Sequence, residues 1–159
     1  DEDNIPLFGW QDDGWLTMSN DKTVNYAEVV EWFVKMRSKG FKIVQIGHDR
    51  KFCREYYLGM KKARFKVVDQ PQYAYIKSEG FRHIEVQAKR GQLYYCHAEP
   101  FLYCVGNVKA TKDDEIVIYE KVEDNKRIDV FDAAVFATIR FLIDTEKVTN
   151  AAAWFGDEE

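Results

Sequence analysis

The most constraining feature of this sequence is a segment with helical periodicity followed directly by a nearly continuous apolar run. Apolar side chains recur at helical spacing between residues 26 and 34, and Gly40 closes the segment. The apolar positions are Tyr26, Val29, Val30, Phe33 and Val34. Residues 41–46 then have the pattern of a strand that is buried on both faces. Because such a strand needs a covered sheet, we predict a layered α/β architecture.

The same alternation continues along the chain. Patterning predicts strands at residues 15–18, 65–68 and 116–121 and helices at residues 51–61, 78–90 and 129–143. The apolar stretches at residues 93–96 and 102–105 are too short to assign. No internal repeat is visible, so we predict one domain over residues 1–147 and a C-terminal tail over residues 148–159 that lies outside the fold.

Composition narrows the class of protein. A chain that is 46% hydrophobic and 15% aromatic suits a packed core and argues against disorder. No apolar run approaches the roughly 20 residues of a membrane span. The cysteines form no CxxC pair, so they indicate neither a zinc site nor a disulfide framework. They are Cys53, Cys96 and Cys104, which we interpret as buried thiols of a reduced compartment.

Charge is unevenly distributed. The net charge of -4 alone disfavours nucleic-acid binding. Between residues 35 and 66, however, basic residues dominate, and the only acids there are Asp49 and Glu55. A basic face of this kind fits phosphate binding, and it equally fits helix surfaces that are simply solvated.

Three aspartates are candidate metal ligands. Asp49 follows the apolar strand, and Asp129 and Asp132 begin the last predicted helix. Carboxylate oxygens are the ligands that Mg²⁺ and Mn²⁺ prefer. Aspartates that converge beside basic residues suit two-metal phosphodiester hydrolysis. Aspartate is also a favoured helix cap, so spacing alone leaves both interpretations open for all three residues.

An ordered series of motifs is more specific than these carboxylates. The chain resembles the C-terminal nuclease domain of phage terminase large subunits, which have an RNase H-like, or retroviral-integrase-like, fold. The motifs are Trp10 before Gly14-Trp15-Leu16; Gly47-His48-Asp49; Val67-Val68-Asp69-Gln70, followed by Pro71 where the family has Gly; Glu85, Gly91, Leu93 and His97; Asn107 and Lys121 around an acidic turn; and Ile128-Asp129-Val130-Phe131-Asp132-Ala133-Ala134.

The resemblance implies an endonuclease that cuts concatemeric double-stranded viral DNA with two Mg²⁺ or Mn²⁺ ions. Asp49 and Asp132 would be metal ligands, and Asp129 would be a ligand or would orient the metal-bound water. The expected DNA contacts are Arg50, Lys51, Arg54, Lys121 and Arg127. The expected partners are an ATPase domain upstream, because the chain has no GxxxxGK[ST] motif, together with the small terminase subunit and the portal, in the host cell cytoplasm.

One departure and two alternatives accompany this interpretation. The family's first acidic ligand lies on a strand before the Trp-Gly-Leu region, and only nine residues precede Trp10 here. We therefore expect an N-terminally truncated RNase H-like mixed sheet flanked by helices, with weak or absent cleavage by this fragment. The alternatives are a non-catalytic DNA-docking or assembly module and another RNase H-like nuclease, such as a junction resolvase.

Overall fold

The computed structural model describes residues 5–49 and 54–155, with the backbone alone for residues 147–155. The chain divides into two compact units, Asp1–Pro71 and Gln72–Glu159, and each is described by itself. Within the described residues, no helix is long and apolar enough to cross a membrane.

The first unit contains a small parallel sheet and three helices. Strand β1 pairs with β2 in parallel, with Ile46 opposite Val67 and His48 opposite Asp69. The elements in chain order are α1 (Leu7–Asp12), α2 (Tyr26–Ser38), β1 (Ile46–His48), α3 (Arg54–Lys62) and β2 (Val67–Asp69).

Helix α2 forms where the spacing predicts it. The side chain of Asn25 accepts a hydrogen bond from the Ala27 amide at 3.0 Å, which caps the helix. Gly40, at φ +95°, ends it in a conformation that favours glycine. Helix α2 packs against α3. At Gly59 a Cβ atom would lie 3.0 Å from Cγ2 of Val30, so the two helices approach closely there.

Most of the predicted strands of this unit differ from the observed ones. No strand forms at residues 15–18, because the amides of Trp15 and Leu16 donate to the Trp10 carbonyl at the end of α1. In the run 41–46, only Ile46 joins a strand, and Phe41 and Val44 are 62% and 58% exposed. The prediction of a strand buried on both faces is therefore wrong over most of that run.

The remaining elements of the first unit are shifted by a few residues. The helix predicted at 51–61 is observed as α3, although residues 51–53 lie outside the described residues. The strand predicted at 65–68 begins at Val67. Phe65 is instead a core residue, buried with Trp10 and Met60.

The second unit combines three helices with an antiparallel hairpin. Strands β3 and β4 pair with Val108 opposite Lys121, and the turn between them includes Asp114 at φ +49°. The elements are α4 (Ala74–Lys89), α5 (Glu99–Gly106), β3 (Val108–Asp113), β4 (Ile116–Lys121) and α6 (Asp129–Phe155).

The core of the second unit lies where α4, α5, β4 and α6 meet. Its buried residues are Ile84, Cys104, Tyr119, Phe131, Val135 and Ile139. The prediction of buried thiols is thus confirmed for Cys104 and wrong for Cys96, which is exposed, while Cys53 lies outside the described residues. Gly80 lets α4 approach α6, since a Cβ atom there would lie 2.8 Å from Cγ1 of Ile139. The hydroxyl of Ser78 accepts a hydrogen bond from the Val117 amide at 2.8 Å, which joins α4 to β4. These contacts fix the helix starts that carry the candidate site.

The predicted elements of this unit are found with different lengths. Strand β4 spans the predicted residues, while its partner β3 was not predicted, because β3 is exposed at every position except Val108 and lacks an apolar alternation. Helix α4 begins at Ala74 rather than at residue 78, and residues 102–105 belong to α5. Helix α6 continues past residue 143 to Phe155. The proposed tail boundary at residue 148 stays a prediction.

The α/β class with mixed pairing is confirmed. The described residues carry one parallel and one antiparallel sheet, each with two strands. The sheets are smaller than the prediction of a single mixed sheet implied.

Candidate metal and DNA site

Asp132 is the best-defined residue of the candidate site. It lies in the first turn of α6, and its Oδ1 atom accepts a hydrogen bond from the Tyr119 hydroxyl on β4. The Lys77 ammonium, in the first turn of α4, lies 2.7 Å from the same oxygen. Three elements of the second unit therefore converge on one carboxylate oxygen.

The Lys77 ammonium contacts two aromatic rings as well as the carboxylate. Its ammonium lies 4.6 Å from the ring centroid of Tyr119 and 5.7 Å from that of Phe136. The side chains of Lys77 and Asp132 are 19% and 27% exposed, so this ion pair is partly desolvated. Burial, followed by the hydrogen bond and negative charge of Asp132, raises the pKa of Tyr119 above its ordinary value.

Asp129 has a different environment on the same helix turn. It is exposed and makes no hydrogen bond or ion pair with the residues that the structure describes. Within those residues, neither Asp129 nor Asp132 accepts a hydrogen bond from a backbone amide at the start of α6. Neither aspartate therefore caps α6 through a side-chain hydrogen bond to a described residue, and metal binding by either of them stays a prediction.

Asp49 lies in the first unit, directly after β1 and half-buried. The carboxyl ends of β1 and β2 border a cleft of about 790 Å³ whose lining includes His48, Arg54 and Asp69. The carboxyl edge of parallel strands is the usual position of ligand sites in open α/β sheets. Whether Asp49 caps a helix is not tested, because residues 50–53, which follow it, lie outside the described residues.

His48, which lines that cleft, makes one aromatic contact. The rings of His48 and Tyr56 lie 5.1 Å apart. Burial raises the pKa of the Tyr56 hydroxyl above its ordinary value. His48 is therefore a packed residue beside Asp49, and the three histidines are not grouped as a zinc set among the described residues.

The donor set of α6 fits Mg²⁺ or Mn²⁺ better than a softer metal. No group of three His, Cys, Asp or Glu side chains within the described residues is placed to hold a metal ion. Mg²⁺, however, is commonly held by only one or two carboxylates together with water and substrate phosphates. Asp129 and Asp132 supply two such carboxylates on one helix turn, although Oδ1 of Asp132 is paired with the Lys77 ammonium.

The predicted DNA-binding residues differ in how the structure places them. Arg50 and Lys51 lie outside the described residues. Arg54 is exposed at the start of α3. Lys121 ends β4 half-buried and makes no ion pair with a described residue. Arg127 is exposed just before α6.

Asn107 holds the segment between β4 and α6. Its side-chain amide donates to the Arg127 backbone carbonyl at 3.1 Å. The backbone carbonyl of Asn107 accepts from the Val122 amide at 2.9 Å. The asparagine that the resemblance singled out is thus buried and fixes the loop that carries Arg127.

Arg37, a residue of the predicted basic face, also makes structural contacts. Its guanidinium donates to the Ala63 carbonyl at 2.9 Å and lies 4.4 Å from the centroid of the Phe65 ring. It stabilises the packing of α2 beside α3 while the residue stays exposed.

Lys77 and Tyr119 are the site residues that the sequence did not reveal. Lys77 was placed outside its helix, because the predicted start was residue 78. Tyr119 occupies an inward position of an alternating strand, where an aromatic side chain ordinarily indicates only packing. The one sequence signal for Tyr119 was its hydroxyl, a polar group at a strand position that faces inward.

Comparison with known proteins identifies the fold of the chain. No family model and no curated protein matches the chain. Among solved structures, it is similar to the large terminase of bacteriophage HK97, with a TM-score of 0.76 and 18% identity, over 87% of this chain and 29% of that one. The chain thus spans less than a third of that protein. It has the fold of a phage large-terminase domain, as the ordered motifs predicted.

Proposed function

We propose that this chain is the metal-dependent endonuclease domain of a viral DNA-packaging terminase, and that it cuts concatemeric double-stranded DNA. The observation that supports this most is the likeness to a phage large terminase over 87% of the chain. The same ordered motifs that predicted this fold contain Asp49, Asp129 and Asp132. An α/β fold alone hosts many activities, so the proposal depends on these carboxylates as much as on the fold.

Each residue has a distinct part in the proposed reaction. Asp49 and Asp132 bind Mg²⁺ or Mn²⁺, and Asp129 binds it or orients the attacking water. When bound, two such ions supply an activated water and stabilise the leaving oxygen. Tyr119 fixes the orientation of the Asp132 carboxylate. Phosphates are bound by the basic residues Arg50, Lys51, Arg54, Lys121 and Arg127.

The wider setting follows from the same proposal. An ATPase domain upstream, the small terminase subunit and the portal are the partners, and the host cell cytoplasm is the compartment. These remain proposals because the chain spans only part of the terminase that it is similar to.

Incubation of supercoiled plasmid with Mn²⁺ tests the activity. We expect slow nicking by the wild type, in line with the weak cleavage expected from the sequence, and none by Asp132→Asn. Asp113→Asn is the matched control, because Asp113 ends β3, is exposed and has no assigned part in the reaction. Equal cleavage by wild type and Asp132→Asn would rule out the proposed site.

A non-catalytic DNA-docking or assembly module is the second candidate. The observation that favours it is that Asp132 is already neutralised by Lys77. DNA binding measured by fluorescence anisotropy at several salt concentrations separates the two candidates, since phosphate contacts make affinity fall with salt. Salt-dependent binding with no cleavage in any divalent metal supports the module.

A junction resolvase is distinguished by its substrate. We expect a packaging nuclease to cut linear duplex and branched DNA at similar rates. A strong preference for four-way junctions over a duplex of the same sequence would favour the resolvase.

A further inference from the structure

Two donors share one oxygen of Asp132. Tyr119 and Lys77 both contact Oδ1, while Oδ2 has no partner among the described residues. The two donors differ in charge and in how freely their side chains can move. The Tyr119 ring packs in the core against Phe81 and Phe131, whereas Lys77 reaches the carboxylate on a long flexible stem. Loss of the lysine contact alone would leave the carboxylate oriented by Tyr119.

The Lys77 ammonium already places a positive charge beside the carboxylate that is proposed to bind a metal cation. We propose that Lys77 is an exchangeable counter-ion of Asp132, which opposes divalent-metal binding until a DNA phosphate draws the ammonium away. This inference rests on the proposed function, since it takes Asp132 as a metal ligand. Its physical basis is that a positive charge beside a ligand oxygen repels an incoming cation, most strongly where solvent is partly excluded.

The contacts of Lys77 fit an exchangeable role better than a permanent one. Among the described residues, its ammonium pairs with Asp132 and lies over the rings of Tyr119 and Phe136, which attract a cation without fixing its direction. Its side chain keeps 19% exposure, so another anion has a route to it. A DNA phosphate is such an anion, and lysine binds phosphate as a point charge that needs no fixed geometry. The exchange would couple metal binding to DNA binding.

The same helix offers a matched control. Lys89, also on α4, forms an ion pair with Glu85 at the same 2.7 Å separation, but the two side chains are 72% and 45% exposed. This is an ordinary surface pair four residues apart on a helix. Lys89→Met removes one lysine charge from α4 without touching Asp132, and so it measures the effect of net charge alone.

Mn²⁺ titration of the chain, followed by the electron paramagnetic resonance signal of free Mn²⁺, tests the exchange. Without DNA, we expect Lys77→Met to bind Mn²⁺ about tenfold more tightly than the wild type. Lys89→Met and the charge-preserving Lys77→Arg should bind like the wild type. With a short phosphorothioate duplex in excess, the difference between Lys77→Met and the wild type should disappear.

Several results would overturn the inference. Equal or weaker Mn²⁺ affinity of Lys77→Met without DNA does so, and plasmid cleavage by the wild type would then leave the proposed function standing. If the tenfold difference in Mn²⁺ affinity between Lys77→Met and the wild type persists with DNA, the proposed exchange of Lys77 onto a phosphate is overturned. Absence of Mn²⁺ binding in every protein contradicts the metal-dependent function and this inference together. Lys77→Gln repeats the test if Lys77→Met fails to fold, as judged by circular dichroism.

Discussion

Asp132 shows how one side chain can combine structural and chemical parts. Its carboxylate accepts from Tyr119 inside the core and pairs with Lys77 at the edge of that core. Hydrogen bonds to a charged acceptor contribute more than neutral ones, and a carboxylate that loses its donors is costly to bury. The residue is therefore expected to affect folding as well as any metal chemistry.

Replacement of Tyr119 by Phe measures this link at the residue scale. The ring keeps its packing, while the hydroxyl donor to Asp132 is lost. We expect the free energy of unfolding to fall by about 2 kcal/mol, measured by urea denaturation. Tyr95→Phe is the control, because its hydroxyl makes no hydrogen bond with a described residue although its ring stacks on Phe101. Equal effects of the two substitutions would contradict the account of Asp132.

Tyr56 leads to a prediction about pH. Burial raises its pKa above the ordinary 10.0, so the folded state keeps a proton that the unfolded state loses. Stability from this group is complete below pH 10 and declines as pH rises above it. Urea denaturation between pH 9 and about pH 11 should show a decline that Tyr56→Phe reduces. An unchanged pH dependence in the variant would contradict the burial of this hydroxyl.

Some site residues were predictable from sequence and others were not. Asp49, Asp129 and Asp132 follow from their places at a strand end and a helix start. Sequence alone could not separate ligand from helix cap, because capping depends on where the carboxylate oxygens point. Lys77 and Tyr119 depend on which face of α4 meets β4, and that is decided by packing between elements distant in sequence.

At the scale of elements, the crossing of α4 and α6 places the first turns of both helices together. Gly80 makes this crossing possible, since any side chain there would meet Val135 and Ile139. Lys77 and Asp132 can form their ion pair because their helices approach so closely. The geometry of the site is thus a consequence of helix packing rather than of a local motif.

Substitution of Gly80 by Ala tests the crossing. The new Cβ atom would lie 2.9 Å from the Val135 carbonyl oxygen, so the backbone must shift. We expect a loss of about 1–3 kcal/mol in the free energy of unfolding. Gly106→Ala, at the last residue of α5 with no atom within 4 Å of its Cβ position, should be neutral or slightly stabilising. Equal stability of the two variants would contradict the close packing.

Helices and strands differed in how far sequence could predict them. Helices α2 and α6 have apolar residues at helical spacing over several turns, and their starts were predicted correctly. Strand β3 carries no such pattern, because its side chains are mostly exposed and its hydrogen bonds to β4 hold it. The prediction of a buried strand at residues 41–46 was wrong for the opposite reason. Its apolar residues suggested burial, whereas β1 is hydrogen-bonded over three residues to one strand, β2.

At the scale of the whole molecule, two compact units each contribute to the proposed reaction. Asp49 belongs to the first unit, and Asp129 and Asp132 belong to the second. The likeness to the HK97 large terminase extends over 87% of the chain. The central claim about the protein is that it is a metal-dependent endonuclease domain, with these three aspartates as the proposed metal ligands.

Single-turnover cleavage of plasmid in Mn²⁺ by Asp49→Asn, Asp132→Asn and the double variant tests that claim directly. Residues that act as one unit show non-additive losses. Each single substitution should therefore lower the cleavage rate about 100-fold or more, and the double variant should be no slower than the slower single one. Losses that multiply in the double variant, or a wild-type rate in either single variant, would contradict the proposal that both aspartates serve the same reaction.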